Sequence, residues 1–74
     1  MGRMYYEELN ESQKHQLAEA WLLELVDLGI YAEVMDVEWD EPTWGELANA
    51  SELVPEDVLE EKYDGTVFTE DDFL

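Results

Sequence analysis

The chain has 74 residues, and its 21 Asp and Glu against three Lys and Arg leave a net charge of −18 on a sequence that is still 46% hydrophobic. That length gives one domain near the smallest size at which a core holds without staples. Three Trp, four Tyr and two Phe exclude a disordered acidic tail, which lacks the apolar and aromatic residues for a core. With no Cys there is no disulfide framework, no thiolate metal site and no cysteine nucleophile.

The opening residues Met1 to Glu8 carry no apolar signal-peptide core, and the longest apolar stretch, Leu17 to Ile30, is interrupted by Glu19, Glu24 and Asp27. A cytoplasmic protein without a membrane span is therefore expected. The first clear element is a helix over 10–28. Asn10 or Ser12 can cap it, Gln13 completes a capping box with Asn10, and Gly29 stands where a left-handed residue closes a helix. Leu17, Ala18, Trp21, Leu22, Leu25 and Leu28 share one face at helical spacing. Leu23 and Val26 widen that arc, so a second layer or a dimer partner is expected over that flank; the chain is read as a monomer or homodimer.

Ile30 to Glu41 alternates in part. As a strand it sends Asp36, Glu38 and Asp40 to one side and Met35, Val37 and Trp39 to the other; as a helix it groups Tyr31, Val34, Met35 and Glu38. Val37 and Trp39 favour the strand. Beyond it the pattern reads as short helices and tight turns. Thr43 with Glu46 makes a second capping box, Pro55 suits a first helical position before Glu56 to Tyr63, and Asp64-Gly65 stops that helix. Thr66-Val67-Phe68 is extended, and Thr69 caps a last turn. The fold class is mainly α, a small single-domain helical fold, with an α+β variant holding one short two-stranded element as the alternative.

Charge is unevenly placed. Residues 1–32 hold six acids against two bases, whereas residues 33–74 hold fifteen against Lys62 alone. Carboxylates at alternate strand positions repeat about every 6.6 Å, helical neighbours three or four apart lie about 5–6 Å apart, and a duplex presents a phosphate about every 3.4 Å along each strand. Three clusters can therefore imitate a phosphate row and are the candidate partner-binding residues. They are Asp36, Glu38, Asp40 and Glu41; Glu56, Asp57, Glu60, Glu61 and Asp64; and Glu70, Asp71 and Asp72. An ordinary surface intersperses both signs, and this one does not.

No catalytic residue, metal site or cofactor is expected. His15 lies on the polar side of the first helix. Asp36-x-Glu38-x-Asp40 begins like a calcium loop, but Glu41 occupies the position of the turn Gly and Leu47 that of the bidentate Glu. Trp21, Trp39 and Trp44 are expected in or at the edge of the core, because a surface this acidic repels nucleic acid.

In size, acidity, absence of Cys, and clusters such as Val37-Glu38-Trp39-Asp40-Glu41 and Phe68-Thr69-Glu70-Asp71-Asp72-Phe73, the chain resembles the small nucleic-acid-mimic inhibitors of bacteriophages and mobile elements. That class includes anti-CRISPR proteins, antirestriction proteins and inhibitors of uracil-DNA glycosylase. Its opening, Tyr5 to Lys14, is also similar to short phage reading frames. The resemblance implies occupation of the basic DNA- or RNA-binding groove of a bacterial defence enzyme, first a CRISPR effector and second a restriction or other nuclease, inside the bacterial host cell. The rival expectation is an acidic adaptor or antitoxin that binds a basic protein surface unrelated to DNA.

Overall fold

The structure is a computed structural model that describes residues 2–73. The fold is mainly α. Helix α1, Glu11–Leu28, is its axis. At its start the Asn10 side chain accepts from the Gln13 backbone N–H at 2.8 Å, while the Gln13 side chain accepts from the Asn10 N–H at 3.0 Å, the reciprocal capping box expected from the sequence. At its end Gly29 takes φ 74° and ψ 23°. Gly29 N–H bonds to Val26 and Ile30 N–H to Leu25, so the chain reverses and the last carbonyls are satisfied.

The reversal throws Tyr31 into the core and begins α2, Tyr31–Met35. The expected strand over this segment is not formed. A lone strand leaves its backbone groups without partners, whereas here Val34 N–H bonds to Ile30 and Val37 N–H to Ala32. Asp36 ends α2 in the left-handed region, φ 56°, a conformation Asp tolerates better than most residues. Helix α3, Trp44–Ala48, starts at the second expected capping box, in which Glu46 N–H meets Thr43 Oγ1 at 3.1 Å and Thr43 N–H meets Glu46 Oε1 at 3.2 Å. Asn49 interrupts the helical path before α4, Ala50–Leu53. Helix α5, Glu56–Lys62, follows Pro55, which occupies the N-cap rather than the first helical position. The two-stranded alternative contracts to a single antiparallel bridge, with Met4 and Phe68 exchanging hydrogen bonds of 2.8 and 2.7 Å.

The core forms in two joined parts. Ala18, Leu22 and Leu25 of α1 are buried with Tyr31, Ala50, Val54 and Leu59, and α1 packs against α2, α3 and α4. Around the bridged chain ends an aromatic ladder runs from Tyr6 to Tyr63 at 6.4 Å, Tyr63 to Phe68 at 5.6 Å and Phe68 to Phe73 at 5.8 Å between ring centroids. Leu28, expected on the hydrophobic face of α1, and Trp44, expected in or at the edge of the core, both lie outside it. Leu28 is 62% exposed at the last position of α1, and Trp44 is 88% exposed. Trp21 lies at the core edge as expected, and Trp39 is half exposed.

Candidate partner-binding surface

All twelve candidate carboxylates are exposed, but they are not equivalent. Asp36, Glu38, Asp40 and Glu41 do not form the expected alternating row. Asp36 closes α2, and the other three follow on an irregular loop, so strand spacing does not govern them. On α5, Glu56 and Asp57 occupy the first turn, where carboxylates also suit the positive end of the helix. Glu60 and Glu61 stand one turn further along.

Glu56 is engaged within the fold, since Lys14 Nζ lies 2.9 Å from its Oε1. Lys62 Nζ lies 2.8 Å from Glu24 Oε2. Hydrogen bonding to these carboxylates raises the pKa of both lysines. The order of the two pairs, 14 with 56 and 24 with 62, shows α5 running in the same sense as α1. Each ammonium also stands over a tyrosine, Lys14 at 5.1 Å from the Tyr6 ring centre and Lys62 at 5.6 Å from that of Tyr63. Two of the chain's three bases thus hold α5 down and add no positive patch to the surface.

The fold adds carboxylates that composition did not single out. Glu7 joins Glu60, Glu61 and Asp64 around an open cleft of about 490 Å³ that also includes Tyr5, Tyr6 and Tyr63. Glu11 lies beside Glu56 and Lys14 at a neighbouring depression of about 360 Å³. The N-terminal segment, which carries little of the excess charge along the sequence, therefore belongs to the α5 face in space. The Met4–Phe68 bridge and the Tyr6–Tyr63 stack bring it there, and no periodicity could reveal a contact spanning nearly the whole chain.

At the C-terminal end Glu70 and Asp71 border a depression with Arg3 and Thr69. Asp72 is engaged locally as the capping-box partner of Thr69, its Oδ2 accepting from the Thr69 N–H at 2.7 Å. Of that cluster, Glu70 and Asp71 make no such contact, while all three stay exposed.

Glu46 is engaged by several donors of the fold. It accepts from Tyr31 Oη at 2.6 Å and from Trp39 Nε1 at 3.4 Å, besides the Thr43 N–H. The Tyr31 bond, with the Thr43 backbone bond next, holds its carboxyl below the usual range. Burial, aided by Glu46, pushes the Tyr31 hydroxyl up to about 12. The capping-box spacing marked Glu46 as a helix-start residue, but nothing local announced that Tyr31 would reach it.

Beside this hub, Leu23, Val26, Glu41, Pro42, Trp44 and Leu47 line an open groove of about 340 Å³. His15, on the same flank of α1, places Nδ1 3.1 Å from Ser51 Oγ of α4. Among the described residues no cluster of three or more His, Cys, Asp or Glu has a metal-binding arrangement, and no helix is long and apolar enough to cross a membrane. No family model matches the chain, and no curated protein or solved structure matches it significantly.

Proposed function

We propose that this protein is a nucleic-acid mimic that occupies the basic DNA- or RNA-binding groove of a bacterial defence enzyme, a CRISPR effector first and a restriction or other DNA-processing enzyme second. One observation carries the reading. The molecule measures 42 × 21 × 19 Å, so a net charge of −18 along its long axis amounts to about one charge per 2.3 Å. Duplex DNA carries one per about 1.7 Å and a single strand one per about 3.4 Å. The protein falls between them, and its internal Lys14–Glu56 and Lys62–Glu24 pairs keep the few cations from breaking the negative field.

A groove built to attract phosphate focuses the same field on carboxylates and speeds their encounter. Occlusion is stoichiometric and asks no chemistry of the inhibitor. The experiment is competition: purified CRISPR effector nucleases and restriction endonucleases are each incubated with labelled cognate DNA and increasing amounts of the protein. The reading expects displacement of DNA by at least one of them, with apparent affinity falling as salt rises. A target that holds DNA and this protein together without mutual weakening favours the acidic adaptor and overturns the mimic.

A further inference from the structure

We infer that the groove between α1 and α3 is the anchoring point for the basic partner, receiving an arginine-bearing apolar segment whose guanidinium stacks on Trp44. This rests on the proposed reading of a basic protein target and names the contact that would hold it. Trp44 is 88% exposed and forms one wall of a groove otherwise lined by Leu23, Val26, Pro42, Leu47 and the carboxylate of Glu41. Trp is the residue type most enriched at binding hot spots, where an aromatic anchor meets an apolar pocket.

The surroundings of Trp44 are held in place. Glu46 ties Tyr31, Trp39 and the Thr43 backbone together, fixing the loop that carries Glu38, Asp40 and Glu41 against the start of α3. A site already shaped loses less freedom on binding.

Charge selects the occupant. A second copy would bring another −18 against this face, and none of the three Lys and Arg residues is there to meet it: Lys14 and Lys62 are drawn to the α5 side, and Arg3 lies beside Glu70 and Asp71. Nucleic acid and anionic membranes are repelled for the same reason. An apolar groove with an indole wall and a carboxylate at its edge suits arginine, which stacks on aromatic faces, pairs with carboxylates and sheds water more readily than lysine.

Helical geometry separates this groove from the α5 face. At about 100° per residue, Leu23 and Val26 fall on the flank of α1 that carries His15, whereas Lys14 and Glu24 fall on the flank facing α5.

The test titrates the ¹⁵N-labelled protein in 0.3 M NaCl with two amphipathic octapeptides, one of Leu and Arg and the other with Lys at every Arg position. The proposal expects the Arg peptide to shift the Trp44 indole N–H signal, to bind at least five times more tightly than the Lys peptide, and to lose about tenfold in affinity with Trp44→Ala. The paired variant Glu60→Lys with Glu61→Lys should reduce that affinity no more than twofold. Because Trp44 is exposed, the Trp44→Ala melting curve should match the parent. Equal binding of the two peptides, shifts confined to α5, or a dimer in sedimentation that Trp44→Ala disperses would each overturn the assignment. If Trp44→Ala leaves the affinity for a DNA-displaced target unchanged while acidic-to-Lys variants abolish it, the anchor fails and the mimic stands. If neither class of variant weakens that target, both fail.

Discussion

Adding salt should stabilise this protein strongly, and the structure sets the size of the effect. With a radius of gyration of 12.7 Å, the folded chain behaves as a charged sphere of radius about 16 Å, whereas an unfolded chain of this length has a radius of gyration of roughly 27 Å. Spreading −18 over each and screening with a Debye length of about 10 Å in 0.1 M salt, self-repulsion disfavours the folded state by about 11 kcal/mol. At 0.5 M, with a Debye length of about 4.5 Å, the penalty falls to about 7 kcal/mol. The gain of about 4 kcal/mol is comparable with the whole stability of a domain this size, about 4–11 kcal/mol, and should raise Tm by about 15–30 °C. Thermal unfolding followed by circular dichroism in 0.1, 0.2 and 0.5 M NaCl, repeated with NaClO₄ to separate ionic strength from anion-specific effects, measures it. A Tm that stays flat or falls in both salts would refute the argument that the carboxylates crowd one another.

Leu22 and Leu25 are the central α1 contacts, 0% and 4% exposed, so Leu22→Ala or Leu25→Ala should each cost about 2–5 kcal/mol in urea denaturation; a cost below about 1 kcal/mol would mean that α1 is not the core's wall. Because the folded pKa of Glu46 is lowered, its contribution is present above the ordinary carboxylate range and lost as pH falls through the folded value. Glu46→Gln should therefore lower Tm at pH 6 relative to Glu61→Gln, which removes the same charge outside the hub, and the gap should narrow as pH falls below the ordinary carboxylate range; a gap independent of pH contradicts the hub. The Tyr31 hydroxyl, raised to about 12, contributes stability below pH 10 that is lost as pH rises through about 12. Absorbance titration at 295 nm should accordingly lose a late-ionising tyrosine in Tyr31→Phe, and a curve that loses an ordinary one instead would refute the burial argument.

What could be read from the sequence was whatever short-range rules decide. Asn10 with Gln13, Thr43 with Glu46, and Gly29 each act within a few residues, and each stands where the spacing put it. The strand expected at 31–40 failed because alternation describes side chains and says nothing about a partner strand; without one, α2 and its left-handed end at Asp36 satisfy the backbone locally. Trp44 was expected in or at the edge of the core because an acidic surface offers no use for a base-stacking platform. It stands at the first position of a five-residue helix, where Leu47 one turn on lines the groove and the indole is left outside. Glu7 and Glu11 were set apart from the acidic region by sequence distance, and the aromatic ladder abolished that distance.

The two acidic surfaces differ in how they are held, and the difference bears on what each can contribute to binding. Helix α5 buries Leu59 alone of its seven residues, with Val58 37% exposed, and relies on two partly exposed ion pairs, each worth about 0–1 kcal/mol, and on the Tyr6–Tyr63 stack. Its carboxylates stand on a lightly fixed support, which suits long-range attraction because that depends on charge and distance more than on exact placement. The loop before α3 carries fewer charges but is fixed by three donors converging on Glu46 and abuts an apolar groove, where displaced water and close contact slow dissociation. A mimic with both would be steered in by α5 and held by the Trp44 face. Reversing charges on α5 then acts mainly on the association rate, while truncating Trp44 acts on the dissociation rate.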